Sequence, residues 1–229
     1  MSAVRRAQVF RAATEVIARE TFGGTTIRKV AEAAGVSTGT VNHYFANKRA
    51  MLIETLAHLG AEWNEDVRLA VRHAPPGAGR LEALMAATVP TNAVNRLRWK
   101  VWTAAWSEAV VSPELRSALR RSRESWISLL AENFELINRE MKGPDIDAVA
   151  VARTFGALLN GLIIQMLASD GALDEGIPEI IHECLFQNVG PGAAGTARAP
   201  GRGAGHEPTS AVAPRDAGPK KPRRADAAR

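Results

Sequence analysis

The stretch Thr25–Asn47, TTIRKVAEAAGVSTGTVNHYFAN, constrains this chain more than any other. Its apolar residues Ile27, Val30, Ala31 and Ala34 recur at i, i+3, i+4 and i+7, the spacing of one helix face, and Thr26 stands where an N-cap hydroxyl is wanted. Gly35 follows, a residue that adopts the left-handed backbone of a helix stop without steric cost. Val36 then turns inward, and Ser37 or Thr38 caps a second helix of little more than one turn that ends at Tyr44-Phe45. Small residues at the start of that second helix (Ser37, Thr38, Gly39, Thr40) let its N-terminus come close to another backbone. Two short helices across a tight turn, the second with an open N-terminus, form a helix-turn-helix whose second helix enters the DNA major groove.

Charge supports that reading once it is divided along the chain. The formal net charge is +5. Residues 1–50 carry eight Lys/Arg against three Asp/Glu, residues 51–189 thirteen against eighteen, and residues 190–229 eight against three. The basic excess therefore sits on the helix-turn-helix segment and on the tail, and a nucleic-acid face is expected at the first of these.

The pattern AxxAGVSxGTVxxYFxNKxxML, spanning Ala31 to Leu52, resembles the DNA-binding module of the TetR family of bacterial one-component regulators, with a close match over roughly residues 5–60. The resemblance implies an all-α chain. A three-helix DNA-binding domain would occupy residues 1–50, and a helical ligand-binding and dimerisation domain residues 51–189. Thr26, Thr40, His43, Tyr44 and Lys48 stand where the family touches DNA phosphates, and Arg28, Thr38, Gly39 and Asn42 where base edges are read, with Ser37 beside them at the helix start. Asn42 could bond adenine at N7 and N6 together, and Arg28 could take guanine. Phe45 is expected in the core, and Tyr44 in both roles. The partner that the resemblance implies is double-stranded DNA carrying a palindromic operator.

The rest of the chain reads as helix after helix, about nine in all. A first helix covers residues 3–21 with Val9, Ala13, Val16 and Ile17 inward. Asn47 caps a long one that runs to about His73, with the stripe Leu52, Leu56, Leu59, Trp63 and Val67, before Pro75-Pro76-Gly77 breaks it. Helices follow at 79–89 and 95–110. Ser112-Pro113-Glu114 combines a cap, a proline at the first position and an acid against the positive helix end, and opens a helix to about Met141. Asp145 is expected to cap the next, which is apolar almost all round from Phe155 to Leu167 and is stopped by Gly171. A last helix spans about Pro178 to Asn188.

A helix apolar all round must be buried on more than one side. It is either the centre of a monomeric core or part of an interface. The resemblance implies a homodimer through the last two helices, which points to Phe155, Leu158, Leu159, Leu162, Ile163, Ile181 and Leu185. Residues 190–229 are dominated by Gly, Ala, Pro and Arg and are expected to be a disordered basic tail.

Trp99, Trp102 and Trp106 share one face of one helix, and Trp126 lies on the next. Such a cluster is either aromatic core or the wall of a cavity for a small-molecule effector, a quaternary ammonium held by cation–π attraction or an apolar ligand. GVSTGTVNHYF, the Trp102–Trp106 pair before a proline-started helix, and GALLNGL at residues 156–162 resemble the BetI-type repressors. That resemblance implies control of choline-to-betaine genes and a response to choline.

Other function classes find little support. No GxSxG, HExxH or phosphate-cradling glycine loop occurs, and His182-Glu183-Cys184 are adjacent residues that point apart on a helix. An enzyme is not expected, nor a metal or cofactor. A single cysteine fits a reducing cytoplasm. No apolar run follows Arg5, Arg6 and Arg11, and the longest apolar stretch, Gly161–Ala168, falls short of the ~20 residues that span a bilayer. Two rivals stay open: a DNA-binding protein of this fold without an effector, and an activator.

Overall fold

A computed structural model describes residues 3–169 and 176–191. Among these residues lie nine helices, and no strand. They are α1 (Ala3–Gly24), α2 (Ile27–Ala33), α3 (Thr38–Tyr44), α4 (Lys48–His73), α5 (Ala78–Thr88), α6 (Ala93–Ala109), α7 (Pro113–Glu140), α8 (Ala148–Ala168) and α9 (Ile177–Asn188). The expected stop at Gly171 lies outside the described residues, as does nearly all of the expected tail.

Capping chemistry sets most boundaries. Thr26, Ser37, Asn47 and Ser112 accept from the backbone N–H three residues on, as their positions predict. Gly35 takes φ 62° and closes α2 with paired bonds, its own N–H to Glu32 and that of Val36 to Ala31. Lys142 plays the same part after α7 at φ 55°, donating to Arg139 while Gly143 donates to Asn138. α1 breaks at Thr21, where the sequence places its end; this residue has φ 60° and accepts from the Thr25 hydroxyl at 2.6 Å.

One cap differs from expectation. Asp147, not Asp145, caps α8 and accepts from the Ala150 N–H at 3.0 Å. Starting the helix two residues later leaves Ile146 just before the cap, where it packs on the core.

α4 packs on α1, α5 and α7, α7 on α8, and α8 on α9, while α1 lies along α6. Leu56, Leu129, Leu130, Phe134, Ile137, Phe155 and Leu159 are fully enclosed, with the Phe134 and Phe155 rings edge to face at 5.5 Å. Phe155, Leu159, Ile163, Ile181 and Leu185 are thus consumed by the chain's own core, although the sequence points to them for the dimer interface. Leu158 and Leu162 are half-buried. The outer stripe of α8 is Ala157, Gly161, Ile164 and Ala168.

By length and composition α8 is apolar enough to cross a membrane, which the shorter stretch Gly161–Ala168 is not. In this fold its inner side is a core helix.

Buried Asn138 ties the end of α7 to the end of α9. Its amide donates to the Pro144 carbonyl at 2.7 Å and its carbonyl accepts from the Gly190 N–H at 2.8 Å. A Cβ on Gly143 would sit 2.0 Å from that carbonyl oxygen. Gly143→Ala is therefore expected to displace Asn138 and orphan buried polar groups. The cost should be ~2–3 kcal/mol, a fall in Tm on the order of 5–10 °C by calorimetry.

Candidate functional site

The first of two candidate surfaces is the outer side of α3. Val41 and Phe45 face inward and are enclosed, which turns Thr38, Gly39, Asn42 and His43 to solvent together. Ser37 caps α3 through the Thr40 N–H at 3.1 Å, and its hydroxyl lies 3.0 Å from the Thr40 hydroxyl. Arg28 is exposed on the neighbouring α2, and Thr26 is exposed at its start.

Two expected phosphate donors are placed differently from these. Lys48 bends back so that its ammonium donates to the Gly23 carbonyl at 3.1 Å. Tyr44 is half-buried and its hydroxyl is enclosed without a partner, so it is not presented to solvent in this conformation. Lys29 is engaged within the head: it pairs with Glu20 and donates to the Gly24 carbonyl at 3.0 Å. Donation from Lys29 is the main cause that holds the Glu20 carboxyl below its ordinary range. This pinning of α2 on α1 is present at neutral pH and is lost as pH falls through that lowered pKa.

Among the described residues nothing requires glycine at position 39. An added Cβ would meet only the Ser37 hydroxyl, at an ordinary 3.6 Å. Gly39→Leu should leave thermal stability unchanged or slightly raised, since leucine favours the helix. It should weaken DNA binding by at least tenfold if α3 approaches a phosphodiester chain closely, as an anisotropy titration would show.

The second surface is a cavity of about 290 Å³ between α4, α6 and α7, with Asn160 of α8 also at its wall. All five tryptophans of the chain line it: Trp63, Trp99, Trp102, Trp106 and Trp126. The sequence groups four of these; Trp63 reads there only as part of the inner stripe of α4. It meets Trp99 edge to face at 5.2 Å and Trp126 at 5.5 Å, which makes it the link between the two tryptophan helices. Trp99 and Trp106 are 6.0 Å apart. Gly60 admits this arrangement, because a Cβ there would press on the Trp102 ring at 3.3 Å.

Polar groups at the wall divide by what they already bind. The indole N–H groups of Trp63 and Trp99 donate to the carbonyls of Ala87 and Thr88, each at 2.8 Å. The Trp102 N–H is enclosed and has no acceptor. Asn64 donates to the Ser125 hydroxyl at 3.0 Å; Arg98, which is not part of the wall, lies 5.6 Å over the Trp63 ring while pairing with Asp66. Elsewhere, burial pushes the Cys184 thiol up, away from reactivity. Among the described residues no group of three or more His, Cys, Asp or Glu could hold a metal.

Comparison with known proteins decides the family. Residues 9–55 match the model of the bacterial regulatory proteins of the TetR family, and residues 75–185 match that of the BetI-type transcriptional repressor C-terminal domain. The HTH-type transcriptional regulator BetI of Paraburkholderia phymatum is 31% identical over 175 residues, covering 76% of this chain and 87% of that protein. The chain belongs to the TetR family. Within the family it is a transcriptional regulator of the BetI repressor type.

Two solved structures share the TetR fold with it. A protein of Saccharomonospora viridis, described as a transcriptional regulator in complex with choline, has a TM-score of 0.70 at 24% identity, covering 82% of this chain and 98% of its own. The fatty acid degradation regulator FadR of Bacillus halodurans reaches 0.69 at 20% identity, over 81% and 96%.

Proposed function

We propose that this TetR-family protein acts in the cytoplasm as a homodimeric repressor of a palindromic operator and is released by a small-molecule effector held among the five tryptophans. Residues 1–50 would read DNA, and residues 51–189 would bind the effector and pair the subunits. One observation carries the effector assignment. α4 begins at the Asn47 cap beside the reading helix and forms the cavity wall from Ala57 to Asn64, so one rigid rod touches both sites. The distance along it from Lys48 to Trp63 is ~22 Å at 1.5 Å per residue.

Fold likeness alone does not choose the ligand, since the choline complex and the fatty acid regulator match about equally well. The wall supports an ammonium ligand, because indole faces attract a quaternary ammonium through the ring quadrupole. A bound ligand shifts the spacing of two reading heads only by its differential affinity for the two states, so ~100-fold release requires ~2.7 kcal/mol of coupling.

The DNA half is tested by anisotropy titration on an operator selected from genomic fragments. Lys48→Ala should weaken all sequences alike and reduce the salt slope by about one. Asn42→Ala should instead relax the preference at one base pair, a discrimination of ~1–3 kcal/mol. Uniform weakening by Asn42→Ala would remove that residue from base reading.

A further inference from the structure

We propose that the cavity takes a zwitterion, a quaternary ammonium joined to an anionic group, in preference to a simple ammonium cation. The inference rests on the effector reading above and deepens it. A cavity built for a bare cation is expected to place a carboxylate near the charge, because aromatic faces alone replace its hydration incompletely. Among the described residues no Asp or Glu lines this one.

The charged side chains that do line it are both cationic. Arg121 and Arg123 stand at the wall on α7, and neither forms an ion pair with a described residue. The single hydrogen bond of Arg121 is a long one to the Ser117 hydroxyl at 3.4 Å. A guanidinium at the wall suits a carboxylate or phosphate, and both guanidinium groups repel a simple cation. Trp63 and Trp99 have their N–H groups tied to backbone carbonyls, so they offer the cavity ring surface. One end of the occupant is thus cationic and soft, the other anionic.

The test is calorimetric titration of the full-length protein with four probes: trimethylglycine, phosphocholine, choline, and 3,3-dimethylbutanoate, the uncharged-headed carbon isostere of trimethylglycine. At least one of the two zwitterions should bind tenfold or more tighter than choline and tenfold or more tighter than the isostere. Which zwitterion it is separates a carboxylate from a phosphate ligand. In the variant Arg121→Gln/Arg123→Gln that preference over choline should vanish; both side chains are exposed, so the fold is expected to survive.

Choline binding as tightly as both zwitterions would overturn the proposal and leave the ammonium effector standing. Equal binding of the isostere would overturn it in favour of apolar carboxylates. Binding of none of the four would remove both the zwitterion and the ammonium reading. A zwitterion preference that persists in the double variant would also overturn it, since the guanidinium groups would then not be its source.

Discussion

Ile164→Asp is expected to split the proposed homodimer and to lower affinity for a palindromic operator by about 100-fold or more. α8 is apolar nearly all round, yet the described residues cover only its inner side, with Phe155, Leu159 and Ile163. Its outer stripe pairs small residues (Ala157, Gly161, Ala168) with Ile164, which is 43% exposed. Small residues let two helices approach closely, and ridges of one pack into grooves of the other. Ile180, on the adjoining α9, is half exposed as well. A carboxylate at 164 stays solvated in a monomer and is stranded in apolar surroundings in a dimer, so the cost falls on association alone. Binding one half-site without its tethered partner forfeits the effective concentration, on the order of mM, that a dimer supplies. Sedimentation velocity and operator titration on the same sample check both halves. A variant that remains dimeric would move the interface away from α8.

The second large effect separates cage from core. Trp99 is 3% exposed, and its N–H is bonded to the Thr88 carbonyl. Trp99→Ala should cost ~3–5 kcal/mol through lost burial, a cavity and an orphaned carbonyl. Trp126 is half-buried at the cavity wall, 5.5 Å from Trp63. Trp126→Ala should cost far less stability, yet lower affinity for an ammonium ligand by at least tenfold, since one aromatic face of the cage is gone. Thermal melts and ligand titrations read the two effects separately. Equal loss of stability in both variants, with no change in ligand affinity, would make the tryptophans ordinary core.

How much of this is legible in the sequence follows from the reach of each signal. Thr26, Gly35, Ser37, Asn47 and Ser112 act on backbone within three or four residues, so their roles are written locally, and the structure has each where expected. Asp145 and Asp147 are two acids in one loop, and the choice between them depends on where Ile146 packs, a tertiary matter. α8 shows the wider limit: a helix apolar on every side carries no phase, so its pattern does not tell Phe155 and Leu159, in the core, from Ala157 and Ile164, outside. Trp63 sits in a stripe of perfectly ordinary helical spacing, and only the apposition of α4 with α6 and α7 turns it into cavity wall. The enclosed hydroxyl of Tyr44 and the Lys48–Gly23 bond are equally beyond a linear reading.

The most direct test of the central claim joins its two surfaces in one tube. A labelled operator is saturated with the protein and titrated with trimethylglycine, phosphocholine or choline, while DNA anisotropy and tryptophan fluorescence are recorded together. Occupation of the cavity should quench or shift the indole emission and release the DNA over the same concentration range, with one ligand per subunit. Saturation of the fluorescence change with the operator complex intact would show a cavity that binds but does not govern DNA reading, and would contradict effector-driven release.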